Sequence, residues 1–375
     1  MVKDSRIIIK DPLYKVLFVN SNHKKYLDSI EFQRLRYIKQ TTFVDLVYPN
    51  ANHTRFSHSL GVYHLMKKVI DNKLMKIDSK NKQNLMLAAL LHDIGHGPFS
   101  HFWEQLFPHF DHEKTTQEIL KSKGLDEVAD ILSGNNPYYY LISSTIDVDK
   151  LDYMARDSYF AGVSYGVAEV DFIIDHIFIK NNKLVIKQSV VSSVEDLITQ
   201  RVNLFKTVYF HKFAIEYDFL FKRIFQRVKE LLDNGIDIEV NPHIISFYNK
   251  TNTLKDLLAL NDVIVLSEVF KWVNHKDKVL SDLASMFVNR KKFKVINLKY
   301  SNINLEKLKQ KVSEKYDLNY YYCEQCFPIN IIQTPIYVDF GNNLKKLEDI
   351  SELIKFYKTQ NWNVKYVIFP KDIEI

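Results

Sequence analysis

The most unusual feature of the chain is a concentration of histidines in its first third. Eight of the thirteen histidines fall between His53 and His112. Within that stretch, LLHDIGHGPFSH (residues 90–101) places an aspartate directly after a histidine at the end of an apolar run. Ionisable groups are costly to bury without partners, and imidazole with carboxylate is a donor set that suits Zn, Mn, Fe or Ni. The pattern therefore predicts a metal site.

Separate segments of the chain supply candidate ligands for such a site. His58 lies in TRFSHSLG, the pair His92 and Asp93 lies in the block quoted above, and the acidic cluster DVDK follows at residues 147–150. Asp147 and Asp149 are alternative ligands within that cluster. Asp147 also directly precedes a helical pattern, so it is equally suited to cap a helix N-terminus.

Five sequence blocks resemble, in order, the HD-domain phosphohydrolases. The resemblance is closer to the deoxynucleoside triphosphate (dNTP) triphosphohydrolases related to the mammalian SAM-and-HD-domain enzyme, and it covers roughly residues 6–220. The blocks are EFQRLRYIKQ (31–40), TRFSHSLG (54–61), LLHDIGHGPFSH (90–101), DVDKLDYMARD (147–157) and VYFHK (208–212). No SAM domain is recognisable, so the chain resembles a bacterial-type member with the HD domain alone.

The resemblance implies a particular ligand set. The family holds its metal with the histidine of the TRFSHSLG block, the HD pair and the second aspartate of DVDK. These positions are His58, His92, Asp93 and Asp149. The expected cofactor is one divalent ion per active site, either a transition metal (Mn, Fe, Ni or Zn) or Mg.

The resemblance also implies residues for proton transfer and for the phosphate site. His112, in DHEK, corresponds to the family's general acid and works with its neighbour Glu113. His96 and His101 correspond to residues that line the phosphate site, with His101 beside the α-phosphate. Histidine suits proton donation because its ordinary pKa is about 6.5. The alternative for His112 is a surface histidine at the start of a helix.

Three cationic residues match family positions that contact the triphosphate. They are Arg55, Lys150 and Arg201. A guanidinium matches the geometry of phosphate oxygens, whereas an ammonium acts as a point charge. The alternative for Lys150 and Arg201 is a solvated helix face.

The sugar-binding residues are again implied by the family. Tyr153 corresponds to a tyrosine that packs under the deoxyribose and leaves little room for a 2′-hydroxyl. Gln40 and Asp157 match residues that hydrogen-bond to the 3′-hydroxyl, and Tyr209 matches a tyrosine near the sugar and base. A core role is the alternative for Tyr209. Phe210 replaces a glutamine that contacts the base in the mammalian enzyme, so the base preference does not transfer.

A second nucleotide site is a further expectation from the family. Asp28, Gln33 and Arg36 match positions that read a guanine base in the allosteric region of the mammalian enzyme. Several phosphate-contacting positions of that region differ here. The three residues are equally suited to structural hydrogen bonds within a helix.

These observations predict a dNTP triphosphohydrolase that releases deoxynucleoside and tripolyphosphate. One alternative is another HD-type nucleotide phosphohydrolase. The other is a nucleotide or single-stranded nucleic-acid binding module with little turnover. Family members are usually dimers or tetramers, so a homodimer or homotetramer is expected. The expected ligands are dNTPs, joined by an activating nucleotide if Asp28, Gln33 and Arg36 form the second site.

Composition sets the broad class. The 375 residues are 46% hydrophobic and 26% charged, which is ordinary for a globular protein. The net charge of +6 is far milder than that of a dedicated nucleic-acid-binding domain. Two cysteines are too few for a disulfide framework. With no secretory signal and no apolar stretch near the length of a membrane span, the sequence predicts a cytoplasmic protein.

The predicted fold is mostly α-helical, with an HD-domain helical core (1–235) and a smaller α+β C-terminal region (236–375). Periodicity of apolar residues predicts helices over 59–74, 81–95, 112–124, 147–162, 194–235, 253–273, 304–316 and 343–358. Alternation predicts strands over 183–191, 293–300, 335–340 and 364–369, with further strand and turn structure near the N-terminus. The 194–235 segment is expected to form one long helix or two consecutive ones.

Overall fold

The computed structural model describes residues 6–166, 169–290, 293–360 and 362–374. Over these residues the chain forms nineteen α-helices, nine β-strands and several short 3-10 turns. The predicted fold class is confirmed, because helices dominate and the sheets are small. None of the helices in the described ranges is both long enough and apolar enough to span a bilayer.

Eleven of the described helices lie before residue 234. They are α1 (Lys24–Leu27), α2 (Ile30–Gln33), α3 (Arg55–Asp71), α4 (Ser79–Leu91), α5 (His101–Leu106), α6 (His112–Ser122), α7 (Asp126–Leu132), α8 (Val148–Ala161), α9 (Val170–Ile174), α10 (Val191–Leu204) and α11 (Lys212–Asp233).

The remaining helices are mostly shorter. They are α12 (Pro242–Tyr248), α13 (Leu254–Leu258), α14 (Asp262–Trp272), α15 (Lys278–Val288), α16 (Leu305–Ser313), α17 (Leu318–Tyr321), α18 (Leu347–Ile350) and α19 (Glu352–Thr359). The strands are β1 (Arg6–Asp11), β2 (Lys15–Asn20), β3 (Ile177–Lys180), β4 (Lys183–Lys187), β5 (Phe293–Asn297), β6 (Cys323–Pro328), β7 (Tyr337–Asp339), β8 (Leu344–Lys346) and β9 (Asn363–Pro370).

Local capping signals explain the ends of α8. The side chain of Asp147 accepts a hydrogen bond from the backbone N–H of Lys150 at 2.6 Å, which satisfies one of the free donors of the first turn. Gly162 ends the helix with φ at 68°, a left-handed conformation that glycine adopts without strain. The predicted range of 147–162 matches this helix closely.

Helices α3, α4 and α8 pack together at the centre of the main hydrophobic core. The close approach of α3 and α8 requires Gly61. A Cβ atom at that position would lie 1.9 Å from Oδ1 of Asp152, well inside contact distance. The glycine therefore sets the spacing between two helices that carry candidate ligands.

The strands form three sheets. Strands β1 and β2 make an antiparallel hairpin, and β5, β9 and β6 make an antiparallel sheet in that order. The third sheet has the order β3-β4-β7-β8, with β4 and β7 parallel. Residues 337–346 therefore return to pair with a hairpin at 177–187. The boundary at residue 235 stays a prediction.

Several helical predictions divide differently in the structure. The 253–273 segment forms two helices, because Asn261 accepts a hydrogen bond from Ile264 N and starts α14 anew. The 343–358 segment begins as β8 rather than as a helix, since it pairs with β7, and only then continues as α18 and α19. The 194–235 segment forms two consecutive helices, one of the two expected alternatives, with a π-helical turn (Phe205–Tyr209) between α10 and α11.

Candidate active site

A cavity of about 530 Å³ lies among the start of α3, the loop between α4 and α5, and helices α6, α8, α10 and α11. This volume is in the range of small-molecule sites. The residues singled out from the sequence that line it are Gln40, Arg55, His92, Asp93, His96, His101, His112, Glu113, Asp149, Lys150, Tyr153, Asp157, Arg201 and Tyr209. His58 is fully buried beside them.

Two groups of three potential ligands occur among the described residues. The first, called here the His58 cluster, contains His58, His92 and Asp149, whose ligand atoms all lie within 4.8 Å of one another. Oδ1 of Asp149 is 3.0 Å from Nε2 of His58 and 3.8 Å from Nε2 of His92. Asp93 adjoins this cluster, with its Oδ1 3.4 Å from Nε2 of His92. The structure thus brings the four expected metal ligands together.

The imidazoles of this cluster are oriented for metal binding. Nδ1 of His92 lies 3.0 Å from the carbonyl oxygen of Ala89, and Nδ1 of His58 lies 2.8 Å from Oδ2 of Asp152. Since both partners are acceptors, each Nδ1 carries a proton and each Nε2 faces the cluster. Nε2 of His92 is buried and has no hydrogen-bond partner in the described structure. These residues fit a divalent cation.

The pKa values of the cluster also reflect close contact between its imidazoles and carboxylates. Burial lowers the pKa of His58, but hydrogen bonds to Asp149 and Asp152 outweigh burial and raise the pKa to about 10. Burial raises the pKa of Asp149, but the contacts with His58 and His92 hold it well below its usual range. These carboxylates hold a proton on His58, and a metal ion bound at Nε2 would take the place of that proton.

A buried network supports the His58 side chain. Asp152 accepts from Nε and Nη2 of Arg156 at 2.9 and 3.0 Å, and Nη1 of Arg156 donates to Asp11 at 2.9 Å. Burial raises the pKa of Asp152, but the Arg156 charge and the contact with His58 lower it to about 2. The imidazole orientation is therefore fixed through a carboxylate that is itself held by an arginine.

The second group, called here the His112 cluster, contains His96, His101 and His112. The rings of His96 and His112 stack with centroids 3.9 Å apart. Glu104 accepts from both the ring and the backbone of His112, at 2.7 and 3.1 Å, and also contacts Nδ1 of His101. The carboxylate partner of His112 is thus Glu104, while Glu113 lies exposed at the cavity rim.

The three cations at the cavity are held in different ways. Nη1 of Arg55 donates to Asp93 and its Nε donates to Ser100 at 2.6 Å. Nζ of Lys150 lies 3.0 Å from Asp147, which is fully buried and caps α8. Nη1 of Arg201 donates to the carbonyl of residue 331, and its buried Nε has no partner in the described structure.

The hydroxyl-binding candidates also lie together. Oδ1 of Asp157 lies 2.7 Å from Nε2 of His53, and Oδ2 accepts from the Tyr209 hydroxyl at 2.6 Å. The buried Oε1 of Gln40 has no partner within the described ranges, and Tyr153 lines the same cavity. The π-helical turn that precedes α11 ends at Tyr209, and such turns often occur at functional sites.

The three residues expected at a second nucleotide site lie outside this cavity. Nε2 of Gln33 donates to the carbonyl of Leu27 at 2.7 Å, and its Oε1 accepts from Arg36 at 2.8 Å. Arg36 also lies over the ring of Phe56, and Asp28 pairs with a surface lysine. Structural hydrogen bonds therefore engage these side chains, and allosteric binding stays a prediction.

Sequence reasoning missed several residues of the site. For Asp152 and Arg156 the sequence carries a local signal, because their i,i+4 spacing on a helix predicts an ion pair. Glu104 had a weaker one, its i,i+3 spacing to His101, and His53 had none, since its partner Asp157 lies on a distant segment. Asp218 also lines the cavity, where burial raises the pKa of its carboxyl to about 7 against the opposing charge of Lys222.

Comparisons with known proteins agree with this geometry. The family described as HD domain matches residues 55–157. The protein YwfO of Bacillus subtilis (strain 168) is 36% identical over 312 residues, 77% of this chain and 71% of its own. The SAMHD1 homologue of Dictyostelium discoideum, named a deoxynucleoside triphosphate triphosphohydrolase, is 29% identical over 269 residues, 63% of this chain and 52% of that protein.

A solved structure supports the same assignment over nearly the whole chain. A phosphohydrolase from Bacteroides thetaiotaomicron VPI-5482 superposes with a TM-score of 0.89 at 28% identity, covering 98% of this chain and 100% of the other. A helical core that encloses a His/Asp cluster beside three cations defines a metal-binding hydrolase. The chain belongs to the HD-domain family and is an HD-domain phosphohydrolase.

Proposed function

We propose that the protein is a metal-dependent dNTP triphosphohydrolase that releases deoxynucleoside and tripolyphosphate. The observation that carries this proposal is the composition of one cavity. It combines the His58 cluster with three cations and with a carboxylate, a tyrosine and an amide suited to a sugar hydroxyl. Relatives named as deoxynucleoside triphosphate triphosphohydrolases add support.

His58, His92, Asp93 and Asp149 would hold one divalent ion, of which Mn, Fe, Ni, Zn and Mg are the candidates. Such an ion acts as a Lewis acid on a phosphate oxygen and makes water more acidic. His58 is oriented for this role by Asp152, and His92 by the carbonyl of Ala89.

The residues around the cluster would organise the substrate. Arg55, Lys150 and Arg201 would bind oxygens of the triphosphate and offset its charge. Water adds to the α-phosphorus, the bond from phosphorus to the 5′ oxygen breaks, and that oxygen needs a proton to leave as an alcohol. His112, positioned by Glu104, would donate this proton, and His96 and His101 would line the phosphate site.

The other end of the cavity would select the sugar. Asp157 and Gln40 would bind the 3′-hydroxyl, and Tyr153 would pack against the ring where a 2′-hydroxyl would need space. Tyr209 would lie near the sugar and base, since it donates to Asp157. A site that is built around specific hydroxyls discriminates strongly against substrates that do not match it.

Chromatography of products tests the proposal directly. Purified protein is incubated with each dNTP and rNTP, with Mn, Mg, Fe, Ni or Zn, and compared with His92→Ala/Asp93→Ala. We expect deoxynucleoside and tripolyphosphate from dNTPs, none from rNTPs and none from the variant. Monophosphate or diphosphate products would instead indicate another HD-type phosphohydrolase. Salt-sensitive nucleic-acid binding without turnover would indicate a binding module.

We further propose a homodimer or homotetramer and leave activation by a second nucleotide as a prediction. Light scattering measures the first. For the second, turnover of one dNTP is compared with and without others, in wild type and in Gln33→Ala/Arg36→Ala. Stimulation that the variant lacks would place the activator at Asp28, Gln33 and Arg36. Equal rates throughout would contradict activation.

A further inference from the structure

The loop between α4 and α5 (residues 92–100, the α4–α5 loop) has an unfavourable backbone where it meets α5. Phe99 and Ser100 have φ values of 55° and 58°. Left-handed conformations are strained for residues with a side chain, and above all for bulky ones. Such a conformation persists only where surrounding contacts stabilise it.

A carboxylate from far along the chain supplies one of these contacts. Oδ1 of Asp262, at the start of α14, accepts from the backbone N–H of Phe99 at 2.7 Å. Oδ2 of the same carboxylate accepts from the backbone N–H of Lys39 at 2.8 Å. Asp262 is only 5% exposed. One buried side chain thus ties two segments of the cavity wall together.

Arg34 holds the same loop at a second point, His96. Its buried guanidinium donates to the carbonyl oxygen of His96. The hydroxyl of Ser100 adds a third tie, since it donates to the carbonyl of Lys39 at 2.7 Å. The α4–α5 loop is therefore held from residue 96 to residue 100 by partners outside it.

Through Ser100, these hydrogen bonds are linked to Arg55, a cation at the phosphate site. Ser100 Oγ accepts from Nε of Arg55, and Nη1 of Arg55 contacts Asp93. The position of Ser100 therefore helps to fix the position of the Arg55 guanidinium. Asp262 fixes the residue before Ser100 and also Lys39, to which Ser100 donates.

An aspartate at residue 262 can accept from both backbone N–H groups at once, which an asparagine cannot. Burial raises the pKa of Asp262 to about 6, although the two backbone hydrogen bonds and the charges of Lys39 and Arg34 oppose this. A neutral asparagine would avoid the cost of burying charge. It could accept from only one of the two N–H groups, however, because its amide nitrogen would face the other donor.

We propose that Asp262 is a positioning residue of the active site, which holds the α4–α5 loop so that Arg55 is aligned with the substrate phosphates. The kinetic part of this proposal rests on the proposed function. The structural part, that Asp262 restrains the amides of Phe99 and Lys39, does not depend on it.

The test compares Asp262→Asn with Glu268→Gln. Glu268 lies on the same helix, is 2% exposed and accepts from a backbone N–H, that of Asn241, at 3.1 Å. We expect Asp262→Asn to lower kcat by about 10²-fold with a smaller change in KM, since small misplacement of a catalytic group has effects of this size. Metal content and melting temperature should stay near wild type, and Glu268→Gln should match wild type.

Hydrogen exchange supplies the readout that is independent of turnover. The amides of Phe99 and Lys39 should be protected in wild type and should exchange faster in Asp262→Asn alone. Equal kinetic losses in both variants, or wild-type kcat in Asp262→Asn, would overturn the proposal. Rapid exchange of the Phe99 amide in wild type would overturn it even if neither variant folds. A wild-type protein with no turnover but the expected exchange would contradict the proposed function instead.

Discussion

The His58 cluster and the His112 cluster border the same cavity and consist of similar side chains, yet their surroundings differ. In the His58 cluster a carboxylate, Asp149, lies among the ligand atoms, and the Nδ1 atoms of both histidines are occupied by buried acceptors. In the His112 cluster the carboxylate, Glu104, lies on the Nδ1 side of His112 and His101. His101 is also 64% exposed.

The difference shows that residue type and proximity do not by themselves define a metal site. Buried carboxylates and fixed imidazole orientations suit the His58 cluster to a cation. Stacked imidazole rings beside one supporting carboxylate suit the His112 cluster to phosphate contact and proton transfer. The following predictions test this assignment, from the largest expected effect to the smallest.

Removing ligands should separate the clusters most clearly. His92→Ala/Asp93→Ala should lose the bound metal and all turnover above background, because two of four ligands are gone. His101→Ala/His112→Ala should keep the metal. Elemental analysis of the purified proteins measures this. Full metal content in the first variant, or its loss in the second, would reverse the assignment of the clusters.

The His112 cluster should act on rate without affecting the metal. His112→Ala should lower kcat by about 10²–10⁴-fold, the usual range for loss of a general acid. The alkaline side of the pH–rate profile should also change, since the proton donor is missing. Unchanged turnover and an unchanged profile would remove His112 from the reaction. Metal content serves as the control.

The support of His58 should matter for metal affinity. Asp152→Asn should weaken metal binding by about 10–100-fold, because the variant no longer fixes the Nδ1 proton and ring orientation as a carboxylate does. Competition with a chelator measures the affinity. Glu104→Gln is the matched control, as it removes the carboxylate that supports the other cluster. Equal affinities in the two variants would mean that these partners do not distinguish the clusters.

The smallest expected effect is on stability. Burial raises the pKa of Glu104, but hydrogen bonds from His101 and His112 hold it well below its usual range. A lowered pKa in the folded state contributes stability above the ordinary value of about 4.3 and loses it as the pH falls. Glu104→Gln should therefore lower the free energy of unfolding by about 1–2 kcal/mol at pH 7, and less at pH 3.

Urea titrations at both pH values check this, with the exposed residue change Glu118→Gln on α6 as control. A constant difference between wild type and Glu104→Gln at the two pH values would contradict the expected role of the ionised carboxylate. In that case, the His112 cluster would be held by packing of its rings rather than by Glu104.

Elements with strong local signals could be predicted from the sequence. Helix α8 follows from Asp147 and Gly162, and α6 begins at His112 as expected. The apolar periodicity of α3 and α4 was also sufficient to predict these two helices, although α3 starts four residues earlier than the periodicity indicates. In these places the hydrogen bonds and apolar contacts that decide the conformation lie within a few turns of each other.

Predictions failed where the periodicity of apolar residues conceals a local turn or cap. The start of 343–358 is a strand because it folds back on β7, a few residues earlier in the chain, as an antiparallel hairpin. The amphipathic pattern over 253–273 is divided in the same way by a local cap, since the Asn261 side chain starts α14 anew and places Asp262 at a helix start. The contacts of Asp262 are distant, however, because its carboxylate accepts from Lys39 and Phe99, which lie 223 and 163 residues away in the chain.

The sequence by itself determined the candidate ligands, the mostly helical fold class and the resemblance to HD-domain enzymes, because these depend on residue type, order and local periodicity. Only the tertiary structure decided which histidines face a carboxylate, that Glu104 rather than Glu113 supports His112, and that Asp262 holds the α4–α5 loop. Hydrogen bonds between different helices and loops fix these choices, and the packing of the whole molecule sets which groups become partners.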